Sequence, residues 1–194
     1  MKNILLAVVL MFSVACYGQQ PNVSAGANYY NNNTIEEGMD MIEEELSAHF
    51  DEDAAPFTRY ALLTVFGRQA LLLSQKNGPS EALFIYTEDH PFVLVACHQE
   101  TGRFEFFEKG VKHIVGCGPG CSTTDYIMMT EDGPEAFVSH YLALDPYGNV
   151  EEQSVELIDS SDDLSEEEAR MAIEEVTKAM GRKLIPKIKW NPMP

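Results

Sequence analysis

Basic residues are scarce in this chain beside acidic ones. Lysine and arginine together number 13 against 31 aspartates and glutamates, a formal charge of −18 over 194 residues. Nucleic-acid binding draws most of its affinity from Lys and Arg neutralising phosphates, and no basic stripe is present, so DNA and RNA are excluded as partners. An anionic membrane surface is disfavoured for the same reason, and the acid reads as a solvated, soluble surface. Also missing is any apolar run of the ~20 residues that a bilayer-spanning helix requires. Cysteines number four (Cys16, Cys97, Cys117 and Cys121), and none forms the Cys-X-X-Cys pair of dithiol oxidoreductases.

The apolar stretch Ile4 to Ala15 stands behind a single Lys2 and before small residues. That pattern is a secretory signal. Two processing sites fit it. Cleavage after Gly18 leaves Gln19 as the mature N-terminus, whereas Ser13-Val14-Ala15-Cys16 as a lipobox makes Cys16 a lipidated first residue. The expected organisation is an export signal at 1–18 (or 1–15 with lipid on Cys16), a flexible tether at 19–33 and a single globular domain at 34–194. The tether follows from a run of Asn, Gln, Ser, Gly and Tyr without apolar period. Any membrane association then comes only through lipid on Cys16, and the localisation is periplasmic, outer-membrane or secreted.

Beyond the tether, Thr34-Ile35-Glu36-Glu37 reads as a capping box. Ile35, Met39, Ile42, Leu46 and Phe50 recur behind it at helical spacing, so an amphipathic helix is expected over 35–50. The period then changes. Short apolar and β-branched runs follow at about ten-residue intervals, each broken by a turn signal, the mark of an antiparallel sheet. The runs are 59–66, 69–75, 82–87, 92–98, 103–108, 111–116, 122–130, 135–144 and 150–158. Gly67-Arg68 suits a two-residue hairpin of type II′. Ser165 and Glu168 form a second capping box, and Ala169, Ile173, Val176 and Met180 line one face of a helix that Gly181 ends. Residues 182–190 offer a last strand. The fold class is α+β, an antiparallel β-meander of about nine short strands flanked by an N-terminal and a C-terminal amphipathic helix.

Tyr60-Ala61-Leu62-Leu63, a turn, and Ala70-Leu71-Leu72-Leu73 resemble an opening found in uncharacterised exported bacterial lipoproteins. In that family an amphipathic helix precedes a YALxDxxGDGxxELL hairpin, further short strands and an acidic C-terminal helix. The resemblance implies the same order of elements and brings no activity with it. Thr64 to Gln69 has no carboxylate where the family carries Asp and Gly. A calcium site is therefore not implied, since calcium requires several oxygen ligands.

Gly116-Cys117-Gly118-Pro119-Gly120-Cys121 admits several chemistries. A redox site needs two residues between the cysteines at a helix start; here there are three, with strand pattern on both sides. A zinc site could draw on His113, Cys117 and Cys121, with Cys97-His98 supplying a fourth ligand. Exported proteins more often oxidise such thiols. A Ser or Cys nucleophile would need a base such as His113 or His140 with Asp125, but no spacing signature marks one. The acidic run 159–168 lacks the glycine and glutamate of a calcium loop. In a nine-strand meander 92–98 and 111–116 lie two strands apart, about 10 Å. Cα atoms more than about 7 Å apart cannot be bridged, so Cys97 is expected to be buried and reduced. Cys117 and Cys121 then bond across a three-residue loop whose glycines supply the φ freedom and Pro119 the corner.

The expected function is that of an exported, non-enzymatic cell-envelope or secreted protein with a binding surface on its sheet and no cofactor. A protein or a glycan would be the ligand, with Tyr86, Phe104, Phe106, Phe107, Tyr126 and Tyr141 as candidate anchors. The alternative is a metal- or thiol-dependent site on His113, Cys117 and Cys121.

Overall fold

The computed structural model describes residues 32–50, 56–75, 78–87, 90–158 and 164–194. Residues 1–31, on which the expected export signal, Cys16 and most of the expected tether fall, and the acidic residues 51–53 and 159–163 lie outside the described residues. Among the described residues most of the regular structure is antiparallel sheet, with a few helices: an α+β fold.

The strands are β1 (Arg59–Val65), β2 (Arg68–Ser74), β3 (Glu81–Ile85), β4 (Val93–His98), β5 (Gly102–Phe107), β6 (Gly110–Gly118), β7 (Cys121–Met129), β8 (Pro134–Leu144), β9 (Val150–Leu157), β10 (Lys183–Leu184) and β11 (Asn191–Pro192). β1 to β4 and β5 to β9 pair consecutively as expected, but β4 does not pair with β5, and the strands form two sheets instead of one meander. The first sheet has the order β11-β1-β2-β3-β4 and the second β10-β5-β6-β7-β8-β9. The break falls between His98 and Gly102. Its physical reason lies in β2 and β3, whose residues Ala70 to Ser74 and Ala82 to Ile85 are all buried, side chains of both faces included. A sheet buried on both faces needs a layer on each.

One layer is the second sheet. Leu63, Val65, Leu72, Leu83 and Ile85 share a cluster with Phe106 and Val111, and Val95, Phe104 and Trp190 pack on its rim. On the opposite face Leu71, Leu73 and Phe84 pack with Ile35, Ile42 and Leu46. A third cluster joins Phe107, Tyr126, Met128 and Val138 of the second sheet to Ala169, Val176 and Met180.

The N-terminal helical segment departs from expectation. It is two helices, α1 (Asn32–Glu37) and α2 (Met39–Ser47), broken at Gly38. Thr34 is therefore inside α1 rather than its cap, and its carbonyl accepts from Gly38 N–H at 3.1 Å. Phe92 lies against this point, and a Cβ on Gly38 would come 2.0 Å from its Cε2, so the position admits only glycine.

The third helix, α3 (Glu166–Met180), carries the expected capping box. Ser165 accepts from Glu168 N–H, and Glu168 reaches back to the Ser165 N–H at 3.0 Å. Beyond it the chain forms a strap. β10 pairs with Phe106 and Phe107 of β5, and β11 with Arg59 and Tyr60 of β1, so one short segment borders both sheets. Lys183 to Glu105 (2.9 Å), Arg182 to Glu108 (3.3 Å) and Arg59 over the Trp190 ring (4.2 Å) hold it. The β1–β2 turn is Phe66-Gly67, both at positive φ (54° and 70°), with Val65 opposite Arg68. That is the type I′ geometry, one residue earlier than the Gly67-Arg68 turn read from the sequence.

Candidate functional site

β6, β7 and β8 have 9, 9 and 11 residues, whereas no strand of the first sheet exceeds 7. These long strands run on past the packed region. None of residues 114–125 or 139–144 belongs to a hydrophobic core cluster, and Ile114, Val115, Tyr141 and Leu142 are half-buried. The end of this ribbon is pinned by a disulfide between Cys117 and Cys121, whose Cα atoms are 5.2 Å apart. Gly118 (φ 143°) and Gly120 (φ 76°) adopt the positive φ that closes the loop.

Against this hairpin lies a half-open groove of about 750 Å³. One wall is the connection Gln99 to Thr101 with Pro79; the other is Ile114, Gly116, Pro119, Cys121 and Ser122. Gly116 N–H donates to Thr101 carbonyl at 2.7 Å, tying the walls together at the base. The lining joins an apolar part, with Pro79, Ile114 and Pro119, to backbone and small polar groups, and Glu100 and Arg103 are its charges. Such a surface offers hydrogen bonds to an extended polar chain.

On the other face of β5 and β6, between the sheets, two buried histidines begin a polar row that ends at the half-buried Asp125 and Ser139. His98 Nδ1 and His113 Nε2 are 3.1 Å apart, and His113 Nδ1 is 3.6 Å from Asp125 Oδ2. Ser139 Oγ donates to Asp125 Oδ1 at 2.8 Å. Phe104 stacks on His113 and lies against His98. Burial and the neighbouring His113 charge lower the His98 pKa to about 4, with the Pro79 carbonyl pulling weakly upward. Burial raises Asp125, but bonds from His113 and Ser139 and the His113 charge outweigh it, so its carboxyl titrates below the usual range.

Of the sequence candidates, His113 and Asp125 are brought together, directly opposite each other across β6 and β7. His140 is not. Its cross-strand neighbour is Thr124, and the residue opposite Asp125 is Ser139. The serine thus bonds the carboxylate rather than an imidazole, which is the reverse of a nucleophile's arrangement. Cys97 is half-buried rather than fully buried, and burial pushes its thiol up to about 11, unsuited to attack. With Cys117 and Cys121 bonded to each other, their sulfurs are not thiolate ligands, and His113 is four strand residues away, roughly 13 Å. Among the described residues, no three His, Cys, Asp or Glu side chains gather as a metal site.

The anchor set changes too. Phe106, Phe107 and Tyr126 are buried in the core, while Tyr86 and Phe104 pack on its edges. Tyr141 belongs to no core cluster and stays half-buried on the ribbon. Ile114, Leu142, Arg103 and Ser139 were not legible as site residues, since their roles depend on register and on where the core stops. No described helix is long and apolar enough to cross a membrane. Comparison of the chain with protein-family models, curated proteins and solved structures finds no match.

Proposed function

We propose that this is an exported, non-enzymatic interaction protein of the cell envelope or the extracellular space, acting through the disulfide-capped end of its second sheet. One observation carries the reading. The β6–β8 ribbon extends beyond every core cluster with half-buried apolar side chains, and it bears the groove. Helices layered on the outer faces of the two sheets would leave this end as the accessible sheet surface. An extended peptide or glycan segment suits the groove's size and its mixed apolar and hydrogen-bonding lining. Export rests on the signal-like residues 1–18 and on the resemblance to exported lipoproteins. Lipid on Cys16 would place the ribbon at the end of a tether from the membrane.

Glycan and peptide arrays probed with the wild-type protein and with Ile114→Glu and Ser122→Arg test the groove. Binding by the wild type that both variants lose at unchanged melting temperature is the expected result. Binding that both variants retain overturns the assignment, as does substrate turnover that depends on His113. Intact mass from the native host tests export: an acylated Cys16 or a chain beginning at Gln19 is expected, and a retained, unmodified Met1 on the folded product defeats it.

A further inference from the structure

The charge of this chain is not spread evenly. Arg182, Lys183, Lys187 and Lys189 are four of its 13 basic residues, and from Gly181 to Pro194 there is no Asp or Glu. They lie on the strap that leaves α3, pairs as β10 with β5, crosses to the first sheet and pairs there as β11 with β1. Between these two short strands residues 185–190 run without a strand partner.

The strap's cations join those of the neighbouring sheet edge. Glu105 of β5 accepts from Lys183 at 2.9 Å and lies 3.6 Å from Arg103. The Lys183 bond, then the charges of Lys183, Arg103 and Lys112, hold its carboxyl below the usual range although burial opposes them. Glu108 is taken up by Arg182 at 3.3 Å. Both carboxylates are thus already engaged. Lys187 and Lys189 are exposed and make no ion pair among the described residues.

The same segment exposes aliphatic surface. Ile185 is 91% exposed and Ile188 42%, whereas Leu184 and Trp190 pack against the cluster between the sheets. Strand pairing at each end, the two ion pairs and Arg59 over the Trp190 ring hold the backbone on both sides of the isoleucines. A surface held in place before contact loses little conformational freedom on binding.

We propose that the strap is a second interaction surface, none of whose residues lines the groove, and that its partner is an acidic protein segment. The segment lays carboxylates against Lys187 and Lys189 and apolar side chains on Ile185 and Ile188. Charge complementarity carries the assignment. A molecule of net charge −18 repels an acidic partner as a whole, so attraction at this one edge fixes where contact is made. A narrow segment suits the strap better than a broad anionic surface does. With a Debye length of about 8 Å at physiological salt, a chain lying along the strap meets its lysines and is screened from acids farther away. A lipid surface would meet both.

Trp190 is the chain's single tryptophan, so its emission reports on the strap. The probes are a synthetic peptide alternating Glu with Leu, the same peptide with Gln for Glu, and phosphatidylglycerol vesicles, with titration calorimetry as a second readout. The Glu–Leu peptide is expected to shift the emission saturably, with an affinity that falls as salt rises. The Gln–Leu peptide is expected to leave it unchanged. Lys187→Glu with Lys189→Glu should weaken binding by about tenfold, and Ile185→Ser should weaken it as well, both at unchanged melting temperature. Ile114→Glu, in the groove, should bind as the wild type does, which separates failure of this surface from failure of the groove. Equal binding of the Gln–Leu peptide overturns the proposal, as does full binding by the charge-reversed variant. A response to the vesicles and to neither peptide makes the strap a lipid-headgroup surface instead, and no response to any probe overturns it outright.

Discussion

Replacing His98 by phenylalanine removes a titrating group from the sheet junction while leaving a ring against Phe104. In the folded protein His98 is held at about 4, against an ordinary value of 6.5. Above the ordinary value the ring is neutral in both states and the effect on stability is complete. As pH falls below 6.5 the unfolded chain takes up a proton that the folded protein refuses, so stability falls with pH until the folded group also charges near 4. At 1.36 kcal/mol per pKa unit this amounts to about 3 kcal/mol. Asp125 and Glu105, both held below their ordinary values, add acid lability of their own, and Glu81, raised by burial, opposes it. Those contributions are shared by the wild type and the variant. The assay is urea denaturation of both proteins at pH 7.5, 6, 5 and 4.5, with the slope of each curve checked for constancy. The expected result is a difference in stability that shifts by about 2–3 kcal/mol in favour of the variant between the two extremes. Parallel pH profiles would refute the reasoning, because they would mean that His98 is as easily protonated folded as unfolded.

Cys117→Ser with Cys121→Ser should cost ~2 kcal/mol, lowering the melting temperature by about 4–8 °C with the fold kept. A fully stable double variant that loses ligand binding would make the cysteines a functional site instead. Peptide mapping without reduction should recover the Cys117–Cys121 link and a free Cys97, and a crosslink from Cys97 to either would contradict the two-sheet pairing. The Cys97 thiol, held at about 11 by burial, should alkylate at pH 8 far more slowly than an exposed thiol and at the ordinary rate once the chain is unfolded. Gly38→Ala should destabilise by about 1–3 kcal/mol through its clash with Phe92. Adding Phe92→Leu should recover part of that loss, and full additivity of the two changes would show that the ring is not the cause.

The sequence by itself determined the local elements, because their causes are local. The β1 to β9 spans follow from short apolar runs cut by Gly, Pro and Asn turns, and α3 follows from Ser165, Glu168 and an apolar face. The Cys117–Cys121 bond was legible because strand spacing puts Cys97 out of reach and leaves the two cysteines facing each other across a three-residue loop. Tertiary structure alone decided the rest. The apolar density of Ala70 to Ser74 and Ala82 to Ile85 says that both faces must be covered; it does not say that strands β5 to β9 will leave the first sheet to cover one of them. Gly38 reads as a residue within one helix, yet two helices meet there, and Phe92, 54 positions later, takes the space that any side chain at 38 would need. His98 and His113 are 15 residues apart and carry no shared periodic signal. Their meeting depends on a turn at Gln99 to Thr101 that moves the chain from one sheet to the other. Periodicity records which side of a strand is apolar; only packing decides which strand that side will face.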